Sequence, residues 1–223
     1  MIDTEAVRFA DRADAGSRLA RLLAGREFHD PLVLAIPRGG VVIGEAVARA
    51  IGAELDVVLV RKLRSPFQEE YAIGALAEDG TVVWNAEANG IVAEAREAVL
   101  EEMRVQEAEI ARRRALVRAV RPEAPVAARS VIVVDDGIAT GSTLLAALRV
   151  IRAHGPREIV VAVPVAAADS LFEVREACDD VVCVAAPRRF RAIGEFYDDF
   201  AQVTDEEVAA ILTRTAVARD TRT

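Results

Sequence analysis

Short aliphatic runs without polar alternation recur along this chain and limit its fold more than any other feature. Pro31 to Pro37 (PLVLAIP), Asp56 to Arg61 (DVVLVR), Val131 to Val134 (VIVV), Ile159 to Val165 (IVVAVPV) and Val181 to Val184 (VVCV) all read as strands buried on both faces. Helical patterns separate them at about Val41 to Ile51, Ser142 to His154 and Ser170 to Ala177, and Gly52 and Gly155 stop the first two. Strand, helix and strand in repetition means right-handed crossovers, so the expectation is an α/β fold: a parallel, doubly wound sheet flanked by helices. Aromatic residues are only 4% of the 223, against 52% hydrophobic overall, so the core must be built from Val, Ile, Leu and Ala.

Two stretches break that rhythm. Tyr71 to Trp84 reads as two short strands joined by Glu78-Asp79-Gly80, a hairpin turn. Glu87 to Arg118 reads as one unusually long helix, or two with a bend. Val92, Val99, Met103, Ile110 and Val117 form one apolar stripe on it, with glutamates early and arginines late, as the helix dipole favours. That stripe can pack on its own domain or form a dimer contact. The expected organisation is one domain over residues 1–223, with a hairpin and long-helix insertion at 71–125 and a small C-terminal hood and helix at 187–215. Only Arg219 to Thr223 reads as a frayed tail.

Charge and cysteine usage exclude several classes. With 28 basic against 36 acidic residues the net charge is −8, which argues against a general nucleic-acid or membrane-surface binder but leaves room for a local phosphate site. Two Cys and two His are too few for a disulfide scaffold or an all-protein zinc cage. The longest apolar stretch, Ile159 to Ala168, is interrupted by Pro164 and is short of a membrane span. Asp3, Glu5, Arg8, Asp11 and Arg12 break up any signal-peptide-like run, so the expected location is the cytoplasm.

The chemistry concentrates in Val131 to Thr143, V-I-V-V-D-D-G-I-A-T-G-S-T. A buried strand ends in Asp135 and Asp136, and a loop of small residues then opens a helix. Ligands of open α/β sheets bind at the carboxyl ends of strands. Ala139, Thr140, Gly141, Ser142 and Thr143 would present successive N–H groups and hydroxyls at a helix N-terminus, a ready phosphate cradle. The two carboxylates upstream suit the vicinal hydroxyls of a ribose, or a divalent cation bound directly or through water. There is no G-x-x-x-x-G-K-[ST], which excludes a P-loop, and Gly137 is followed by Ile138, Ala139 and Thr140 rather than by the glycine spacing of a dinucleotide site.

This segment resembles the signature of the type I phosphoribosyltransferases: four apolar residues, two acids and a T-G-x-T loop. Pro37-Arg38-Gly39-Gly40, the R-K-x-x-x-P of Arg61 to Pro66 and the A-I-G-A of Ala72 to Ala75 make it most similar to a group of uncharacterised bacterial members, over most of Pro31 to Asp205. The resemblance implies that Asp135 and Asp136 hold the ribose hydroxyls of phosphoribosyl pyrophosphate (PRPP) and that residues 139–143 hold its 5′-phosphate. It implies that Arg38, Gly39 and Gly40 form a pyrophosphate loop, often with a non-proline cis peptide. Lys62, with Arg61 or Arg64, would neutralise pyrophosphate, and Ser65 to Glu70 would be a lid that excludes water.

Four of the ten aromatics, Phe190, Phe196, Tyr197 and Phe200, gather after the last strand. They suit either a small core over the sheet end or, as the resemblance implies for Phe190, Phe196 and Tyr197, a hood for the acceptor. His154 suits a helix C-terminus, His29 an exposed turn, and Cys178 and Cys183 small buried positions. The expected function is Mg²⁺-dependent transfer of 5-phosphoribosyl from PRPP to a base-like nitrogenous acceptor, by a homodimer. Mg²⁺ would be held mainly by substrate, with Asp135 and Asp136 helping indirectly. The rivals are a PRPP-sensing module without turnover and a hydrolase acting on a ribose phosphate.

Overall fold

The computed structural model describes residues 7–86 and 88–220, apart from the side chains of residues 69, 70 and 217–220. Five strands, β1 (Leu32–Ala35), β2 (Glu54–Val57), β6 (Ser130–Val134), β7 (Glu158–Val165) and β8 (Asp180–Ala185), form a sheet in the order β2-β1-β6-β7-β8. Every pairing in it is parallel. Alternate residues leave opposite faces of a strand, and here both sets are aliphatic. Val33, Ala35, Ile132, Val134, Val160 and Ala162 enter one core with helices α1 (Arg12–Leu23) and α2 (Gly39–Ile51). Leu32, Leu34, Val131, Val133, Ile159 and Val161 enter the other, with α5 (Ser142–Ala153) and α6 (Ala168–Ala177). Each such Val, Leu or Ile side chain contributes about 1.5–3 kcal/mol on burial, and that explains a core with few rings.

β1 and β6 are neighbours, yet the helices that follow them, α2 and α5, lie on opposite faces of the sheet. The chain therefore parts at their carboxyl ends and leaves a crevice, the usual ligand position in such sheets. A second, antiparallel sheet lies beside it: β3 (Val60–Ser65), β4 (Gln68–Ala77) and β5 (Val82–Trp84). Leu63, Ile73 and Leu76 of that sheet pack on Val99 and Ile110 of the long helix.

Several expectations need correction. Asp56 to Arg61 is not one strand. The Val58 N–H closes the parallel ladder on the Ala35 carbonyl at 3.0 Å, and Val60 then starts the second sheet. The hairpin therefore has a third strand before Tyr71. Ser65 to Glu70, the segment expected to form a lid, makes the tight end of that hairpin, with Ser65 paired to Gln68. Of the two readings of the long helical stretch the second holds: it divides at Ala95 into α3 (Ala88–Glu94) and α4 (Arg96–Arg118), and Glu87 lies outside the described residues. Its apolar stripe packs on its own chain: Val99 and Ile110 face the hairpin, and Val117 faces the first core. Helix α1, not anticipated from the sequence, is capped by Asp11, whose carboxylate accepts the Asp14 N–H at 2.8 Å. A short 3-10 helix (Ile193–Phe196) follows β8, and α7 (Asp205–Asp220) continues through Arg219, where a frayed tail is expected. Residues 221–223, like Asp3 and Glu5 near the start, lie outside the described residues. Among the described residues no helix is long and apolar enough to cross a membrane.

Candidate active site

Asp135 and Asp136 stand at the carboxyl end of β6, in the crevice beside β1. The Asp135 carboxylate accepts the Asp136 N–H at 2.8 Å, which turns the chain into the loop. Burial lifts the Asp135 carboxyl well above the ordinary range, and the charge of Asp136 adds to the rise. Burial raises Asp136 too, opposed by Arg12, whose Nε donates to Asp136 Oδ2 at 2.8 Å. The side chains of that pair are only 10% and 14% exposed. Arg12 also donates to the Ala201 carbonyl at 2.7 Å and lies 3.9 Å over the Phe200 ring, which ties the hood to the acidic pair. Sequence reading missed Arg12 because 124 positions separate it from its partner.

The turn after β1 lies against these acids. Pro37–Arg38 is a cis peptide, as the resemblance implies, and Arg38 stands at the N-terminus of α2. A Cβ at Gly39 would come within 1.9 Å of Asp136 Oδ2, and one at Gly40 within 2.9 Å of the Val134 carbonyl. Only a residue without a side chain lets this turn approach so closely.

The loop after Asp136 encloses a cleft of about 420 Å³, lined by Asp135, Gly137 to Leu144, and Ile193 of the hood. Its base is pinned by the Ile138 N–H on the Val165 carbonyl at 2.9 Å and the Ala167 N–H on the Ile138 carbonyl at 2.9 Å. Gly141 takes the left-handed conformation (φ 71°) that L side chains rarely adopt, and so turns the chain into α5. Ala139, Thr140 and Thr143 are exposed, Gly141 and Ser142 partly so, and the Thr140 and Ser142 hydroxyls are 3.3 Å apart. Lys62 reaches this loop from β3, its Nζ 3.4 Å from Ser142 Oγ. The structure therefore puts Lys62 beside the Ala139 to Thr143 loop.

The hood divides its aromatics. Phe190 and Phe196 stack at 5.3 Å and are partly buried. Tyr197 is 3% exposed, packed on Phe9 and Phe200, and its hydroxyl donates to the Asp136 carbonyl at 2.7 Å. Burial, then the Asp136 charge, raises its phenol far above the ordinary value. Tyr197 thus supports the acidic pair from behind and, contrary to its expected place in an acceptor hood, offers no ring to a ligand.

The model of the phosphoribosyl transferase domain family matches residues 10–200. The chain belongs to this family. It is 44% identical over 209 residues to Rv0571c and to MT0597, from two strains of Mycobacterium tuberculosis, both named as candidate phosphoribosyl transferases. These alignments cover 92% of this chain but 46% of each relative, so the chain spans about half the length of the curated relatives it matches. A crystal structure of TT1426 from Thermus thermophilus superposes with a TM-score of 0.86 at 44% identity, covering 93% of this chain and 98% of that one. The parallel sheet and its antiparallel companion are accordingly a phosphoribosyltransferase fold. Within it the acidic pair, the T-G-S-T loop and the P-R-G-G turn converge on one crevice.

Proposed function

We propose that the protein transfers a 5-phosphoribosyl group from PRPP to a nitrogenous acceptor and releases pyrophosphate. The observation that carries this reading is the contact of three parts: a part-buried carboxylate pair, a loop of small residues opening a helix, and the Pro37 to Gly40 turn pressed on that pair. In this assignment Asp135 and Asp136 accept from the two ribose hydroxyls. The Ala139 to Thr143 loop, with Lys62, anchors the 5′-phosphate. Arg38 and the Gly39 and Gly40 amides steady the diphosphate, since a guanidinium fork holds phosphate oxygens in pairs. The bond from the anomeric carbon to the pyrophosphate oxygen breaks, a bond from that carbon to the acceptor nitrogen forms, and the nitrogen's proton passes to solvent. Catalysis is then positioning and charge stabilisation, with remote phosphate contacts fixing the reacting carbon.

Among the described residues no group of three or more His, Cys, Asp or Glu is placed to hold a metal ion. Two carboxylates beside a phosphate cleft fit Mg²⁺ held mainly by substrate oxygens and water, with Asp135 and Asp136 in supporting contact. A Mg²⁺ bound there would supply positive charge to offset the negative charge gathering on the departing pyrophosphate. The acceptor is assigned to the hood segment, whose Ile193 borders the cleft and whose Phe190 and Phe196 provide stacked apolar surface.

Pyrophosphate release from PRPP and Mg²⁺, measured against a panel of purine, pyrimidine and smaller nitrogenous acceptors, tests this assignment. Acceptor-dependent release supports it. Tight PRPP binding without turnover on any acceptor favours the sensing module, and release that needs only water favours the hydrolase.

A further inference from the structure

A second cleft, of about 580 Å³, is lined by Pro37 at the start of the P-R-G-G turn, by the start of β3 and by the long helix α4. Ile36, Pro37, Ile110 and Thr143 line it, together with two arginines, Arg61 from β3 and Arg113 from α4. Arg113 also borders a neighbouring cleft with Pro37 and Arg38. Each guanidinium is held by one nitrogen. Arg61 Nε donates to Gln106 Oε1 at 3.0 Å, and Gln106, 6% exposed, is fixed in turn by Glu102 at 3.1 Å. Arg113 Nε donates to Glu109 Oε1 at 3.2 Å. Among the described residues nothing accepts from the terminal nitrogens of either arginine.

Two like charges sharing a part-buried cleft repel each other. Burial, then the charge of Arg113, holds the Arg61 guanidinium below its ordinary pKa. The carboxylates nearby are already engaged. Glu109 is shared with Arg112, and Glu102 accepts from Gln106 and from the Arg64 N–H. The helix cannot swing away freely, because Arg118, five residues beyond Arg113, is locked to Asp56 at 2.8 Å and to Glu78 at 2.5 Å. Glu109 offsets part of this charge through Arg113 Nε, but it is shared with Arg112, and the terminal N–H groups of both forks have no acceptor among the described residues, which suits a multiply charged oxyanion that accepts from both.

We propose that Arg61 and Arg113 form a two-guanidinium pocket for the outer phosphate of the diphosphate, so that helix α4 supplies part of the substrate site. This inference rests on the phosphoribosyl-transfer reading and adds to it a binding residue, Arg113, from the long-helix insertion. Position selects the ligand group. The cleft is lined by Pro37 of the turn and by Thr143, which also lines the first cleft, so the two adjoin at the loop that opens α5.

The test is calorimetric titration of the full chain with inorganic pyrophosphate and, separately, with ribose 5-phosphate. Arg113→Ala should weaken pyrophosphate about tenfold or more and leave ribose 5-phosphate within about twofold. Arg113→Lys should fall between, because it keeps charge but loses the fork. Arg112→Ala, which also removes a partner of Glu109, should match the wild type for both ligands. An unchanged pyrophosphate affinity in Arg113→Ala overturns the proposal. So does an equal loss for both ligands, which would make Arg113 a packing residue. Wild-type protein that binds ribose 5-phosphate but not pyrophosphate defeats this pocket alone, whereas protein that binds neither defeats the phosphoribosyl-transfer reading as well.

Discussion

Adding one methyl group at Gly39 probes how tightly the site is assembled. An ideal Cβ there lies 1.9 Å from Asp136 Oδ2, 2.7 Å from its Cγ and 2.8 Å from Arg12 Nε. The oxygen contact is short of an ordinary van der Waals distance by about 1.5 Å. No positive φ is recorded for Gly39, so backbone strain plays no part and the clash must be relieved by moving a side chain. The side chain with least room to hold its place is Asp136, and its movement breaks a 2.8 Å ion pair that is 10% and 14% exposed. Overpacking of this kind costs about 1–3 kcal/mol, and weakening a mostly buried charged hydrogen bond adds about 1–2 kcal/mol. The gain from replacing glycine at a helix start returns up to about 1 kcal/mol. Gly39→Ala should therefore lose about 2–3 kcal/mol in urea unfolding and also weaken ribose 5-phosphate binding. Gly90→Ala is the control, since nothing lies within 4 Å of its added Cβ, and it should gain about 0.5–1 kcal/mol. In an Arg12→Ala background Asp136 is free to turn, so the cost of Gly39→Ala should shrink by about 1 kcal/mol or more. A Gly39→Ala protein within about 0.5 kcal/mol of wild type, with additive effects in the double variant, would refute the close-packed site.

Other consequences concern the scaffold. Arg118→Ala leaves Asp56, 1% exposed, and Glu78, 7% exposed, without their shared partner, and should cost about 3–5 kcal/mol in denaturant unfolding. Burial already holds the Asp56 carboxyl above its ordinary value against the pull of Arg118, so the loss falls on a group with little reserve. His154 is raised above its ordinary value by the Val150 carbonyl and then by Asp79, which it meets at 2.9 Å. A raised folded value means that its contribution is full below the unfolded value of about 6.5 and fades as pH climbs through the folded one. His154→Ala should thus cost about 0.5 kcal/mol at pH 5.5, after allowance for solvent screening, and less at pH 8.5. Equal losses at both pH values would show that the ring acts only by packing.

The parallel sheet was legible because its strands are doubly buried, which leaves uninterrupted aliphatic runs such as Val131 to Val134. The phosphate loop was legible because its parts are adjacent in sequence. What escaped depends on contacts between distant segments. Val58 and Leu59 look like the middle of a strand, and only the completed ladder on β1 shows that the chain leaves the sheet there. Burial along Val60 to Ser65 does not alternate, and the pairing register shifts at Leu63, Arg64 and Ser65, so no period-two pattern marked this strand in the sequence. Arg12 and Arg113 have no local motif, since one acts across 124 residues and the other from the middle of a helix rich in arginine. Tyr197 shares its sequence neighbourhood with exposed hood residues, and its role emerges only where its hydroxyl meets the Asp136 carbonyl.

The central claim is that the acidic pair and the loop behind it hold PRPP. Its most direct test is titration of PRPP, with Mg²⁺, into wild-type protein and into the Asp135→Asn, Asp136→Asn double variant, with unfolding curves to confirm that both are folded. Each carboxylate bonded to a ribose hydroxyl is worth about 1.5–3 kcal/mol, so the double variant should bind PRPP at least about tenfold more weakly while inorganic pyrophosphate binding changes little. A folded double variant that binds PRPP as well as the wild type would contradict the account.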